Sequence, residues 1–341
     1  MATNKARRVT MSDVARHAGV SRTTVSFVLN ERADAAIPED TQARIRASIE
    51  ELGYRPNAGA RALAAKRSEW YGLITEIVTA PFAVDVIKGA QDRAWADGKF
   101  LLITAGDNDP AMEAAAFDKL LEQRAEGLLY ATTWHRAVTL PPAAREVPVV
   151  LVNCFDADGA LPSVVPDEVA GGYTATRRLI DAGHRRIGFI NLDTGIPAAV
   201  GRLQGYEQAH REAGADIDDT FVVSGHATAD GGYAAACELL DRADRGHRPT
   251  ALFCGNDRTA MGAYDAIKER GLRIPDDIAV IGFDNQELIA AYLRPGLTTV
   301  ALPFEAMGAK GVDMLGALTA GQPLTTIQVT VDCPLIERSS V

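Results

Sequence analysis

The chain has 341 residues, of which 47% are hydrophobic and 6% aromatic, and this length suggests two or three domains with a sizeable core. The formal net charge of −10 argues against a uniformly basic nucleic-acid-binding protein, but the first 70 residues carry 12 Lys and Arg against 8 Asp and Glu. The rest is strongly acidic, which places any phosphate-binding surface at the N-terminal end. No apolar run of about 18 residues could span a membrane, and no apolar core of a secretory signal follows the basic N-terminus.

Residues 9 to 30 have the pattern of two short helices joined by a tight turn. Thr10 is suited to cap the first helix, and Gly19 to form the turn, because glycine readily adopts a positive φ. Ser21 is suited to cap the second helix. Three polar residues would lie at the exposed N-terminal end of that helix: Arg22, Thr23 and Thr24. A helix-turn-helix presents its second helix to the DNA major groove in this way, although a helical hairpin in another small bundle would have the same local pattern.

A third helix is predicted after Pro38, with acidic residues in its first turn. Its buried face is formed by Ile45, Ile49 and Leu52. Gly53 is expected to end this helix. The segment 58–67 follows, and its small residues favour a helix that has almost nothing to bury.

Beyond residue 70, short apolar strands alternate with amphipathic helices. Strands are predicted at 71–77, 100–104, 127–130, 149–152, 186–190, 221–223, 251–254 and 278–283. Strands that are apolar throughout and joined by helices indicate parallel sheets covered on both faces. Because there are too many strands for one open sheet, we expect two similar halves that divide near Pro166.

Several stretches of the chain resemble the lac-repressor and galactose-repressor family of bacterial transcription regulators. The resemblance rests on VTMSDVARHAGVS, TVSFVLN, GYRPNAGARAL, RLQGY, GND and IGFDN, which follow one another in the order of the family. It implies an all-α helix-turn-helix headpiece over 1–55, a hinge helix and linker over 56–69, and an effector-binding and dimerisation domain over 70–341. That domain would be an α/β, two-lobed, periplasmic-binding-protein-like fold with parallel sheets.

The resemblance also implies three chain crossings between the two lobes. We place them near Pro166, near Leu297–Val300 and near Leu324–Gln328. The first lobe would then contain about 70–166 and 300–325, and the second about 167–299 and 326–341. Ligands of open α/β sheets lie at the carboxyl ends of the strands, so the ligand of a two-lobed protein lies in the cleft between the lobes.

By the same resemblance, the DNA-binding residues would lie on the first two helices and in the hinge. They are Thr10, Ser21, Arg22, Thr23, Thr24, Ser26, Phe27, Asn30, Tyr54, Asn57, Ala60 and Leu63. Phe27 cannot donate a hydrogen bond, but its ring could contact a thymine methyl group; alternatively it only packs at the helix end. Leu63 would be a wedge in the minor groove, or else would cap the larger domain.

Polar residues at the predicted strand ends are candidates for effector binding. The full candidate set is Phe82, Asn153, Ala198, Arg202, Ala227, Asn256 and Asp284. A guanidinium together with amide and carboxylate groups can bracket hydroxyls, which both donate and accept. Singly, each polar residue could be a turn or cap residue, and Asp257 in particular is expected to cap a helix. Phe82 could equally be core.

Two of these positions depart from the family pattern. Ala198 stands where members often carry a polar residue, and Ala227 where some carry an aromatic one. Both changes reduce side-chain size, which indicates a roomier pocket or a different ligand.

The sequence predicts a cytoplasmic, homodimeric repressor that binds a near-palindromic double-stranded DNA operator and a small-molecule effector, a sugar or related polyol. We expect no membrane association and no cofactor. The four cysteines are widely spaced, without a metal-binding pattern, and we expect reduced thiols. No nucleophile elbow, phosphate-binding loop or zinc-protease motif occurs, which argues against an enzyme. A transport-type sugar receptor is the alternative for the larger domain, but it would have no DNA-binding headpiece.

Overall fold

A computed structural model describes residues 9–30, 32, 35–55, 68–215, 217–241 and 248–341. The chain divides into two compact units, Met1–Glu69 and Trp70–Val341. Most of the predicted hinge, including Asn57, Ala60 and Leu63, lies outside the described residues.

Within its described residues, the first unit contains three helices, α1 (Met11–Ala18), α2 (Arg22–Leu29) and α3 (Glu39–Leu52). The side chain of Thr10 accepts a hydrogen bond from the Asp13 amide, and the Asp13 carboxylate accepts one from the Thr10 amide. This reciprocal capping box fixes the start of α1. Gly19 and Gly53 end α1 and α3 with φ of 67° and 61°, as the sequence predicted. The small core contains Val14, Ala15, Ala18, Val25 and Ile45.

The first lobe of the second unit is built on a six-stranded parallel sheet. Its strands are β1 (Trp70–Thr75), β2 (Phe100–Ala105), β3 (Leu128–Val138), β4 (Val149–Asp156), β5 (Ser163–Pro166) and β11 (Gln328–Val331). They lie in the order β11-β5-β4-β3-β1-β2. The flanking helices are α4 (Pro81–Ala96), α5 (Pro110–Glu122) and α11 (Phe304–Thr319). The first four residues of β4 are continuously apolar because this central strand is buried on both faces.

The second lobe repeats this arrangement. Its strands are β6 (Ile187–Asn191), β7 (Val222–Ser224), β8 (Ala251–Cys254), β9 (Ala279–Asp284), β10 (Thr298–Ala301) and β12 (Leu335–Ile336). They lie in the order β12-β10-β9-β8-β6-β7, with only β12 antiparallel. The helices are α6 (Glu168–Asp181), α7 (Pro197–Glu212), α8 (Ala229–Asp241), α9 (Asp257–Glu269) and α10 (Glu287–Ala290). The predicted fold class is confirmed.

Two of the chain crossings lie a few residues after the predicted positions. Strand β10 pairs with β9 in the second sheet, so the second crossing follows Ala301 rather than Val300. Strand β11 pairs with β5 in the first sheet, so the third crossing follows Val331 rather than Leu324–Gln328. The short segment of β11 has alternating rather than continuous burial because it is an edge strand, and its sequence therefore lacked the apolar run that marked the central strands.

Burial raises the pKa of three of the four thiols, Cys154, Cys254 and Cys333, so these cysteines pack as small apolar side chains. Among the residues that the structure describes, no helix is both long and apolar enough to cross a membrane. The same residues contain no group of three His, Cys, Asp or Glu side chains arranged for a metal ion.

Candidate functional site

The N-terminal end of α2 is an exposed polar surface. The Ser21 hydroxyl oxygen accepts a hydrogen bond from the Thr24 amide at 3.0 Å, which fixes the first turn of the helix. Arg22 and Thr23 are exposed beside it. These side chains are therefore free to meet another molecule while Val25, on the opposite face, is buried in the core.

The C-terminal end of α2 is partly covered by its own side chains. Asn30 caps the helix and donates from Nδ2 to the Ser26 carbonyl at 2.8 Å. The Phe27 ring is half-buried and lies 5.5 Å from the guanidinium carbon of Arg32. Tyr54 packs against the core of the three helices. Of the predicted DNA-binding residues that the structure describes, the exposed ones are Thr10, Ser21, Arg22, Thr23 and Asn30.

A small cavity lies between the two lobes of the second unit, at the carboxyl ends of the strands. Its volume is about 30 Å³, because side chains from both lobes occupy most of the space. It is lined by Phe82, Thr133, Trp134, His135, Asn153, Glu168, Leu192, Ala198, Arg202, Asn256, Arg258, Asp284 and Leu302.

Arg202 is the central charged group of this cavity and is only 2% exposed. Its Nε donates to Glu168 Oε2 at 2.7 Å, and its Nη1 donates to the Gly255 carbonyl and lies 3.7 Å from Asp284 Oδ1. The guanidinium carbon lies 3.7 Å from the centre of the Phe283 ring. Burial opposes its charge, but Glu168 and Asp284 hold the pKa of Arg202 above its ordinary value.

Arg202 reaches Glu168 because helices α6 and α7 approach closely where glycines meet. A Cβ at Gly205 would lie 2.2 Å from the Val169 carbonyl oxygen, and one at Gly172 would lie 2.4 Å from the Arg202 carbonyl oxygen. Any side chain at these positions would push the helices apart. The glycines in RLQGY and in α6 therefore position the ion pair.

The two carboxylates beside Arg202 respond differently to burial. Burial alone would raise the pKa of Glu168, but the close guanidinium outweighs it and holds the pKa below its ordinary value. For Asp284, burial dominates over the more distant Arg202 and raises the pKa to about 6. The site thus contains one firmly charged carboxylate and one that titrates near neutrality.

The first lobe contributes Trp134 and His135 through an irregularity of β3. Ala131 pairs with Val152 and Arg136 with Cys154, so four residues of β3 face the single residue Asn153 of β4. Asn153 has a φ of 59°. Its Nδ2 donates to the Thr132 carbonyl at 3.0 Å, and the Thr132 hydroxyl donates back to the Asn153 carbonyl at 3.0 Å. Asn153 therefore supports the bulge as well as lining the cavity.

Glu76 holds the other side of this bulge. Its carboxylate accepts hydrogen bonds from the Thr133 amide at 2.8 Å, from the Thr133 hydroxyl at 2.6 Å and from Arg136 at 2.5 Å. Burial alone would raise the pKa of Glu76, but these donors hold it below its ordinary value. These hydrogen bonds therefore fix the segment of β3 that places Trp134 and His135 in the cavity wall.

The cap expected at Asp257 lies instead at the preceding residue. Asn256 Oδ1 accepts a hydrogen bond from the Thr259 amide at 2.8 Å, and its Nδ2 donates to the Ala227 carbonyl at 3.2 Å. The Asp257 carboxylate accepts from the Gln286 amide and the Thr299 hydroxyl, each at 2.7 Å. Asn256 has the extended backbone of a cap residue, and local sequence does not distinguish which of two adjacent Asx residues takes that conformation.

The remaining effector-binding candidates, Phe82, Ala198 and Ala227, differ in how they contact the cavity. Phe82 lines the cavity and also stacks on Phe304, with ring centres 4.8 Å apart, so both of its predicted roles are compatible with the structure. Ala198 lines the cavity. Ala227 packs in a small apolar cluster with Ala198 and contributes its carbonyl to Asn256.

Sequence reasoning did not single out five charged or aromatic residues of this site. They are Glu76, Trp134, His135, Glu168 and Arg258. Glu168 and Arg258 each lie in the first turn of a helix that follows a strand end, a position that could have identified them. Residues 132–136 of β3, TTWHR, carry no comparable signal in the sequence. The bulge that places them in the cavity wall is defined only by the pairing of β3 with β4 in the folded sheet.

Comparison with known proteins agrees with this architecture. Residues 10–57 match the model of bacterial regulatory proteins of the lacI family, and residues 176–341 match a periplasmic binding protein-like domain. The HTH-type transcriptional repressor PurR of Serratia proteamaculans is 36% identical over 335 residues, which cover 97% of this chain and 96% of that protein. The corresponding repressor of Yersinia pestis has the same identity and coverage. The chain belongs to the lacI family.

Solved structures of family members extend this result to the whole chain. The lac repressor dimer bound to operator and an anti-inducer matches 98% of this chain with a TM-score of 0.81 and 27% identity. The complex of the regulator CelR with cellobiose matches 98% with a TM-score of 0.67 and 30% identity. These matches cover 99% and 100% of those chains. The protein is accordingly a DNA-binding transcriptional repressor of the lacI family.

Proposed function

We propose that this repressor acts as a homodimer, that α2 of each subunit reads one half-site of a near-palindromic operator, and that a polyhydroxyl, sugar-type effector binds in the cavity between the lobes. The observation that carries the effector site is the buried group formed by Arg202, Glu168 and Asp284. The CelR–cellobiose complex, a family member with a bound sugar, supports the ligand class.

The positions of the cavity residues suggest how an effector would act. Glu168 lies two residues after β5, at the first crossing between the lobes, and Leu302 lies in the second crossing. Cys333 lies in the third crossing, is buried, and is close enough to Glu168 and Arg202 for their charges to affect the pKa of its thiol. A ligand that contacts this group would favour one arrangement of the lobes over another, which is a coupling free energy between effector and DNA.

In the headpiece, we propose that Arg22, Thr23 and Thr24 supply most of the base and phosphate contacts. The support is the exposure of the first turn of α2 and the cap that holds it, because a recognition helix enters the major groove by this end. The other predicted contacts, including those of the hinge residues, remain proposals of the same kind.

The test is a thermal-shift screen of the full chain with sugars, sugar derivatives and nucleosides, because a ligand that binds the folded state raises its apparent stability. Active compounds are then tested for their effect on binding to a palindromic duplex, and the assembly state is measured by analytical ultracentrifugation. Stabilisation by nucleosides but by no sugar derivative would contradict the proposed effector class, and a monomer bound to a single half-site would contradict the dimer.

A further inference from the structure

Of the two arginines that line the cavity, Arg258 forms no direct ion pair with a described residue, although its charge lowers the pKa of Asp284 through space. It is the second residue of α9, and its Nε is buried without a hydrogen-bond partner in the described part of the chain. Arg202, by contrast, is paired with Glu168 and Asp284. Arg136, beside the same cavity, is paired with Glu76.

Across the cleft, Arg258 faces the bulge of β3, which comprises residues 132–135. Its guanidinium carbon lies 5.7 Å from the centre of the Trp134 ring, and that ring is 45% exposed. A cation over an exposed indole face is held only weakly. The adjacent His135 has a buried Nδ1 that makes no hydrogen bond to any described residue, and this atom lies 3.5 Å from Glu168 Oε1.

Arg258 Nε is therefore a buried N–H donor of the cavity that has no acceptor among the described residues. Glu168 is neutralised by Arg202 at 2.7 Å, while the guanidinium of Arg258 faces the Trp134 ring and acts on Asp284 only through space, without a direct hydrogen bond or ion pair among the described residues. A buried donor without an acceptor is costly, and the arrangement becomes favourable when a ligand supplies one. Carboxylate and phosphate oxygens match the planar fork of a guanidinium and can accept two hydrogen bonds from it.

We propose that the effector carries an anionic oxygen group, a carboxylate or a phosphate, which Arg258 binds, so that the effector is an acidic sugar derivative and not a neutral sugar. This inference rests on the proposed polyhydroxyl effector and assigns its charge. Arg202, Asn256 and Asp284 would bind the hydroxyl groups, and Arg258 would determine the preference for the acid.

The experiment is isothermal titration calorimetry of the full chain with matched triplets: glucose, gluconate and glucose 6-phosphate, and ribose, ribonate and ribose 5-phosphate. In at least one triplet an acid should bind at least about tenfold more tightly than its neutral parent, the scale of a hydrogen bond to a charged group. The carboxylate and phosphate members distinguish the two sources of the anion.

The variant is Arg258→Met, which keeps much of the side-chain volume and removes the cation. It should lose the preference, so that the acid and its neutral parent bind with similar affinity. The matched control is Arg211→Met, at the exposed C-terminal end of α7, which should retain the preference. Circular dichroism and thermal unfolding without ligand confirm that each variant is folded.

The failures of the two proposals can be distinguished. If neutral sugars bind, Arg202→Ala abolishes that binding and Arg258→Met changes nothing in any triplet, the charge assignment is wrong and the sugar-type effector stands. If no member of any triplet binds the wild type, the proposed effector class fails and the charge assignment fails with it.

Discussion

The two lobes contribute to the effector cavity in different ways. The second lobe supplies charged side chains that hold one another: Arg202 contacts Glu168, Asp284 and the Gly255 carbonyl. The first lobe supplies Trp134 and His135 on a bulge held by Asn153, which also lines the cavity, and by Glu76, which is not among the lining residues. The second-lobe side is thus fixed by direct electrostatic contact, whereas the first-lobe side depends in part on Glu76, a residue that need not touch a ligand. Stability and ligand preference should therefore respond differently to substitutions on the two sides.

The largest effect is expected for Arg202→Ala. It would leave two buried carboxylates without their cation, and removal of one partner from a buried ion pair typically lowers the free energy of unfolding by about 3–5 kcal/mol. Effector binding should also weaken at least about tenfold, because a hydrogen bond to a charged group is lost. Urea unfolding and calorimetric titration measure the two effects. Wild-type effector affinity in a folded variant would remove Arg202 from the binding site.

Asp284→Asn should stabilise the protein at neutral pH, because the raised pKa means that the folded state disfavours the charged carboxylate. With a pKa of about 6 in the folded state against an ordinary value of 3.8, the destabilisation approaches about 3 kcal/mol above pH 6. It develops as the pH rises from about 4 to 6 and is absent at lower pH. The charged groups around Asp284 are Arg202 on α7, Glu168 on α6, and Asp257 and Arg258 on α9.

The measurement is the free energy of unfolding of wild type and Asp284→Asn between pH 3.5 and 8. The two curves should coincide at the acidic end and separate above pH 6, with the variant more stable. The variant should bind the effector less tightly, since an acceptor for hydroxyls is lost. Equal stability of the two proteins at all pH values would show that burial does not raise the pKa of Asp284.

Glu76→Gln tests the hydrogen bonds that hold the β3 bulge in the first lobe. The variant loses the ion pair with Arg136 but can still accept from Thr133, so we expect the free energy of unfolding to fall by about 1–2 kcal/mol at pH 7. Because the pKa of Glu76 is lowered in the folded state, this contribution is present above its unfolded pKa and lost as the pH falls through the folded pKa. Urea unfolding at pH 7 and pH 3 measures the difference.

The matched control for this prediction is Glu113→Gln. Glu113 accepts from the Tyr130 hydroxyl at 3.1 Å in the same lobe, whereas the described hydrogen bonds to the Thr133 amide and hydroxyl come from Glu76. Only Glu76→Gln should change effector affinity, through Trp134 and His135. A similar change in both variants would indicate a general effect of the first lobe instead.

The smallest effect is expected in the headpiece, for Phe27→Ala. Its ring is half-buried beside Arg32, so we expect a loss of at most about 1 kcal/mol in operator affinity, the lower end of the cost of a mismatched base pair. The loss should depend on the base opposite the ring, with thymine most affected. Fluorescence anisotropy with a series of half-site variants measures this. Unchanged affinity and unchanged half-site preference would show that Phe27 only packs.

Much of the fold could be predicted because its signals are local. Thr10, Gly19, Ser21 and Gly53 define helix ends by side-chain chemistry and backbone conformation, and each has its predicted role in the structure. The central strands are continuous apolar runs, which marks parallel sheets. The sequence places the third crossing a few residues too early, because β11 is a short edge strand without an apolar run.

The sequence by itself determined the helix-turn-helix, the two α/β halves, the family and the polar residues at the strand ends, because each depends on neighbouring residues or on a recognisable motif. Only the tertiary structure decided which of those residues meet. The pairing of Arg202 with Glu168 requires close helix packing at glycines, and the presentation of Trp134 requires a bulge defined by the neighbouring strand. That Arg258 Nε is buried without a hydrogen bond to a described residue is likewise a property of the assembled lobes, since the neighbours of a side chain include residues distant in the chain.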